Sequence, residues 1–184
     1  MRHLATALIV TLLSLTHATA AGKAKAMLRD DNFSFYMAKL PEGLIIDSIA
    51  VHKQEREMLV FSNNRLVKIY RVRLGINPEG PKQFSGDYKT PEGKYYITCR
   101  NECSQFHRSL GISYPNARDI ANAKKLGKSP GGDIMIHGLP NRDADVGMDR
   151  YQNDWTWGCM ALRNEQIDEL FTRIEPGTPI VITP

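Results

Sequence analysis

His137 and Cys159 stand 22 positions apart, each at the edge of a short apolar run. The first run reads Ile134-Met135-Ile136-His137-Gly138 and the second Thr156-Trp157-Gly158-Cys159-Met160-Ala161-Leu162. If the two ends lie side by side, a thiol meets a base, the minimum needed for acyl transfer through a thioester. A neighbouring histidine can also hold such a cysteine as its thiolate. The same spacing accommodates a buried structural cysteine and a satisfied core histidine, and spacing alone does not choose between them.

The elements that must position this pair are short. Ile45 to Val60 reads as strand, with Ile45, Ile49, Val51, Met58 and Val60 separated by polar residues. Asn63-Asn64 marks a hairpin turn before the alternating run Leu66 to Val72. Gly75 to Gly93 is a glycine- and proline-rich loop, of a length that compact domains keep for functional or mobile segments. Strands resume at Tyr95 to Thr98 and at Leu110 to Tyr114. A helix follows, capped by Asn116, with Ile120 and Leu126 inward and Gly127 just past its end. Ser129-Pro130-Gly131-Gly132 turns the chain into the strand that delivers His137. A second helix, capped by Asn164, carries Ile167, Leu170, Phe171 and Ile174 as one apolar stripe, and Ile180 to Ile182 closes as a strand. Many short strands with two helices predict a mostly-β, sandwich- or barrel-like single domain decorated by helices.

Met1 to Ala20 has a basic start, an apolar middle and a small-x-small end at Ala18-Thr19-Ala20, which predicts a removable signal peptide over residues 1–20 in preference to a retained anchor. Residues 21–43 read as a lead segment and 44–184 as the domain. The expected location is the periplasm or cell envelope, with no stable membrane insertion. The net charge is +4, with 24 Lys and Arg against 20 Asp and Glu interspersed, which excludes the basic blocks of nucleic-acid binding. Of the three cysteines, Cys99 and Cys103 are close enough to suggest a disulfide across a tight turn, leaving Cys159 as the odd, reactive thiol. The aspartates Asp143, Asp145, Asp149 and Asp154 loosely follow a calcium loop, but Met148 stands where the sharp turn needs glycine. No metal and no cofactor is expected.

Ile136-His137-Gly138 followed by Thr156-Trp157-Gly158-Cys159 resembles the signature of the L,D-transpeptidase catalytic (YkuD) family: a histidine, a spacer, then Ser/Thr-His-Gly-Cys. Gly86-Asp87-Tyr88-Lys89-Thr90-Pro91-Glu92-Gly93 is similar to the family's Thr-Pro-x-Gly loop, and Tyr114-Pro115-Asn116 through Gly131-Gly132-Asp133 resembles its YafK-like murein branch. The resemblance implies the L,D-transpeptidase catalytic fold, with Cys159 as nucleophile and His137 as general base and acid. The Gly138 carbonyl would orient the imidazole. Gly158, Thr156, Trp157 and Tyr114 would line the oxyanion or substrate site, with backbone N–H groups around Gly158-Cys159 forming the oxyanion hole. Gly158 would leave room for the approaching carbonyl.

The chain departs from the family pattern in a longer spacer, in Trp157 at the second signature histidine, and in Ala161 where a polar residue is common. The implied reaction is on peptidoglycan stem peptides: attack on the amide after the L-centre of meso-diaminopimelate, then resolution by an amine (transpeptidase) or by water (hydrolase). The hydrolase alternative would release a wall-linked lipoprotein or trim stems. A non-catalytic wall-binding module is the remaining alternative.

Overall fold

In the computed structural model, which describes residues 34–142 and 152–184, the run from Ile45 to Val60 is two strands and not one. β1 (Ser48–His52) and β2 (Glu57–Ser62) pair antiparallel across a turn at 53–56, where Arg56 takes a φ of 53°. Ile49, Val51, Met58 and Val60 point into the core, whereas Ile45 lies outside the strand and is exposed. The hairpin to β3 (Arg65–Arg71) turns on Asn63 and Asn64, with φ of 51° and 59°. Two successive left-handed residues match the twist of the flanking strands, and asparagine tolerates that region better than most residues.

The remaining elements follow in order: β4 (Gly93–Ser104), β5 (His107–Ile112), α1 (Ala117–Lys125), β6 (Met135–His137), β7 (Met160–Ala161), α2 (Asn164–Phe171) and β8 (Pro179–Thr183). The strand order is β3-β2-β1-β8-β4-β5-β6-β7. β8 inserts in the middle, parallel to β1 and antiparallel to the first residues of β4. The far half of β4 pairs instead with β5, so β4 passes from one half of the sheet to the other. Past the end of β3, Arg73 exchanges both backbone hydrogen bonds with Ala161 of β7, at 2.9 and 2.7 Å, which ties the two ends of the strand order together. The sequence therefore folds as the mostly-β, barrel-like domain its strand pattern implied. All of these elements lie within Lys39–Pro184; of the separate unit Met1–Ala38 only residues 34–38 are described, with a helical turn at 34–37. The expected signal peptide and the acidic residues Asp143, Asp145 and Asp149 lie outside the described residues. Among the described residues no helix is long and apolar enough to cross a membrane.

Both helices differ from expectation in detail. α1 is capped by Asn116, whose side chain accepts from the amides of Arg118 and Asp119, but its buried residues are Asp119 and Ala123. Ile120 and Leu126, expected inward, are 49% and 50% exposed. Asp119 sets the rotation: its carboxylate accepts from the Asn116 amide and from the buried Tyr95 hydroxyl, at 2.9 and 3.0 Å. A carboxylate with two such donors is well satisfied in the interior, and this turns the apolar residues outward. In α2 the stripe Ile167, Leu170, Phe171 and, just beyond, Ile174 is fully buried. Its cap, however, is Arg163; Asn164 is the first helical residue and accepts the Leu139 amide at 2.8 Å.

The Gly75–Gly93 loop is pinned at two points. The ammonium of Lys53 donates to the carbonyls of Gly80 and Thr90 and to Glu92. Farther along, Asp87 accepts from Lys82 at 2.7 Å and from the amides of Gln83, Phe84 and Lys89. A loop without regular structure is thus held through charge-assisted bonds to its backbone.

Cys99 and Cys103 do not sit across a turn. Both lie on β4, exposed and unbridged. Four steps along a strand span roughly 13 Å, about twice the Cα separation a disulfide tolerates. The expected 99–103 bridge is therefore absent, and both thiols are free.

Candidate active site

β6 and β7 run parallel, with Ile136 opposite Met160 and His137 opposite Ala161. Ile136 and Met160 are buried in the core. By the two-residue period of a strand, Met135 and His137 share the opposite face with Ala161 and with Cys159, one residue ahead of β7. This register makes His137 and Cys159 diagonal neighbours across the pair. Both line one cleft of about 1160 Å³.

His137 is 4% exposed. Its Nδ1 lies 2.7 Å from the Gly138 carbonyl oxygen. A carbonyl can only accept, so Nδ1 carries the proton and, in the neutral ring, Nε2 holds the free lone pair. Aromatic rings fix the rest: Phe106 lies 4.6 Å from the imidazole centroid and Trp155 meets it edge-on at 5.7 Å. Burial lowers the pKa of His137 below its ordinary value, and the Gly138 contact offsets this only in part. At Gly138 a Cβ would fall 2.6 Å from Asn164 Oδ1, so only glycine permits this close seat against the start of α2.

The Cys159 thiol donates to the Asp133 carbonyl at 3.4 Å. Burial pushes its pKa up, opposed by the Met135 amide that reaches the sulfur. The two shifts act together: both keep the free pair as thiol and neutral imidazole, and neither favours the thiolate–imidazolium pair the sequence reading allowed for.

The turn ahead of Cys159 is built on Thr156. Its buried hydroxyl donates to the Cys159 carbonyl at 2.7 Å and accepts the Gly158 amide at 3.1 Å. The Gly158 N–H, expected in an oxyanion hole, is therefore occupied. Gly158 has φ of 129°, and a Cβ there would lie 2.6 Å from the Lys89 carbonyl oxygen. The need for glycine comes from the packed Lys89 backbone and not from an incoming substrate. Trp157 is 77% exposed and meets Tyr88 edge-on at 6.0 Å, forming one wall of the cleft.

Tyr114 is not part of this site. It is buried, packs edge-on against Tyr95, and donates its hydroxyl to the Pro130 carbonyl at 2.9 Å. It supports the turn beneath the cleft from within the core. Asp154, the last of the calcium-like aspartates, pairs with Arg56 and accepts the Leu74 amide. Phe106, Trp155 and Tyr88 were not singled out from the sequence. Trp155 neighbours the signature, but Phe106 reaches His137 only because Ser109 pairs with His137 and the tight β4–β5 hairpin folds back.

With this geometry in view, the model of the L,D-transpeptidase catalytic domain, YkuD, matches residues 46–182. The chain belongs to that family. It is 30% identical over 130 residues to YafK of Escherichia coli (strain K12), covering 67% of this chain and 45% of that protein. It is 24% identical over 136 residues to YqjB of Bacillus subtilis (strain 168), covering 73% and 70%. Among solved structures, the helical cell shape determining protein Pgp2 from Campylobacter jejuni superposes with a TM-score of 0.56 at 22% identity, over 76% of this chain and 48% of that one. Bd1075 of Bdellovibrio bacteriovorus superposes at 0.52 with 27% identity, over 79% and 50%. The chain thus spans about half the length of YafK and of these two structures, and the shared part is the L,D-transpeptidase fold.

Proposed function

We propose that this protein is an exported L,D-transpeptidase that acts on peptidoglycan stem peptides carrying meso-diaminopimelate, with Cys159 as nucleophile. The observation that carries the reading is the placement of His137 on β6 and of Cys159 one residue ahead of the parallel β7, facing one cleft, with Nδ1 of His137 bound to Gly138. This orientation reserves Nε2 for the reacting proton.

As the sulfur attacks the amide carbonyl after the L-centre, Nε2 takes the thiol proton. The carbon–sulfur bond forms and the carbonyl electrons move to oxygen. The amide of Cys159 itself is our candidate donor to this oxyanion, since that of Gly158 is bound to Thr156. On collapse the imidazolium returns the proton to the departing amine, and a thioester remains. An incoming amine then gives up a proton to Nε2, attacks the thioester, and releases the thiol with its proton restored.

The test is incubation of the purified protein with a defined tetrapeptide stem and a D-amino acid, followed by mass analysis. An exchanged stem supports the transpeptidase. A shortened stem replaces it with the hydrolase reading, in which water takes the place of the amine and a wall-linked lipoprotein could be the substrate. Turnover that survives Cys159→Ala overturns both, and stem binding without any turnover points to the wall-binding module.

A further inference from the structure

Two opposite charges border the cleft around Cys159, and neither belongs to the thiol–imidazole pair. Lys82 is buried and lines the cleft. Its ammonium donates to Asp87 at 2.7 Å and to the Phe84 carbonyl at 3.1 Å. An ammonium carries three donors, so these two bonds leave one N–H over. Asp133 also lines the cleft, is exposed, and forms no ion pair among the described residues; only its backbone carbonyl is engaged, by the thiol.

The loops that carry the two groups are stitched together. The Ser85 amide donates to the Ser129 carbonyl at 2.8 Å, and the Lys128 ammonium sits 3.5 Å from the Phe84 ring centroid. The segment that carries Lys82 is thereby joined to the one that leads into Asp133. After burial and the Met135 amide, Asp133 adds to the upward push on the Cys159 thiol and Lys82 opposes it.

We infer that Lys82 and Asp133 form a zwitterion-reading subsite, in which Lys82 binds a carboxylate and Asp133 an ammonium on the same carbon of the acyl donor's side chain. This rests on the proposed function and deepens it, because it names what the cleft selects. A stem side chain ending in an amino-acid centre, as in meso-diaminopimelate, satisfies both groups. A stem with lysine at that position offers the ammonium alone, and an amidated diaminopimelate loses the anion. Charge-assisted pairs in a half-enclosed cleft are strong enough to discriminate among these.

The test uses full-length protein with Cys159→Ala, so that binding is read without turnover, and titrates stem peptides by calorimetry. The peptides carry meso-diaminopimelate, its side-chain N-acetyl form, its side-chain carboxamide, or lysine. The zwitterion should bind roughly ten-fold or more tightly than each of the others. Adding Asp133→Asn should erase the preference for the free amine and leave the preference for the free carboxylate. Asparagine suits the φ of 55° at this position, so the fold should be retained. The double change Lys82→Met with Asp87→Asn, which leaves no buried charge unpaired, should do the reverse. Preferences that survive these changes, or equal binding of all four peptides, overturn the inference while the acyl-transfer reading stands. If the unaltered protein neither binds nor turns over any stem, the proposed function falls, and the inference with it.

Discussion

The Gly138 carbonyl oxygen lies 2.7 Å from Nδ1 of His137, in the residue directly after the ring it holds. This contact fixes the tautomer, while burial lowers the His137 pKa and raises that of Cys159. The pair should therefore rest uncharged at neutral pH. We predict slow alkylation of Cys159 by iodoacetamide at pH 7, rising steeply above pH 9, read by intact mass against pH. Turnover should fall only as pH drops below the ordinary histidine value of about 6.5, because the lowered pKa keeps Nε2 free above it. Because the proton moves during attack, kcat/KM should show a normal solvent isotope effect. Fast alkylation at pH 6 would mean that a preformed thiolate operates instead.

Gly158 sets the Cys159 turn against the Lys89 backbone. Gly158→Ala places a methyl 2.6 Å from a carbonyl oxygen at a φ that L-residues avoid. Overpacking and backbone strain of this kind cost about 2–4 kcal/mol together. Thermal melting should show the loss, and activity should fall as well because Cys159 moves with the turn. Melting unchanged within about 0.5 kcal/mol would remove the packing argument.

How much was legible in the sequence follows from what each signal encodes. Period-two alternation and Asn63-Asn64 carry β2 and β3 because each encodes a local backbone state. The α2 stripe is legible for the same reason. The rotation of α1 was not, since it depends on a tertiary hydrogen bond from Tyr95 to Asp119. Nor was the fate of Cys99 and Cys103, where a turn was inferred from spacing and one strand paired with β5, with register shifts, formed instead. His137, Gly138 and Cys159 were found through motif order. Phe106 joins them only through long-range strand pairing that no local pattern records, and Lys82 only through the folding of the Gly75–Gly93 loop onto the cleft. Tyr114 was misplaced because a motif residue can serve the core beneath a site as well as the site itself.

The ion cluster around Glu169 gives a stability test away from the cleft. Burial raises the pKa of Glu169, but hydrogen bonds from Lys68 and Tyr70 outweigh it, and the net shift is downward. A depressed carboxylate stabilises the fold above its unfolded pKa and loses that contribution as pH falls through the folded value. Glu169→Gln should therefore lower the melting temperature at pH 7, by about 1–3 kcal/mol in stability. The difference from the unaltered protein should shrink below pH 4.5, the ordinary value for this group. A gap of constant size down to pH 3 would assign the effect to packing.

The thiol inventory is checked directly. Cys99 and Cys103 are exposed on β4, whereas Cys159 is partly covered. Native protein treated with excess alkylating agent should gain two groups quickly and a third slowly, with the slow site mapping to Cys159. Non-reduced digestion should yield no linked 99–103 peptide. Recovery of that peptide from freshly purified protein would show that β4 is interrupted between the two residues, since an intact strand holds them too far apart.

Trp157 separates binding from chemistry. Its ring is largely exposed and touches Tyr88 at the cleft wall, so Trp157→Ala removes little buried area. Melting should change by less than about 0.5 kcal/mol. A flat aromatic wall contributes to an extended peptide in the ground state and the transition state alike. Its loss should therefore raise KM several-fold and leave kcat nearly unchanged. If kcat falls with KM constant, Trp157 acts on the reacting centre, and the place of the missing signature histidine would be one that still shapes the transition state.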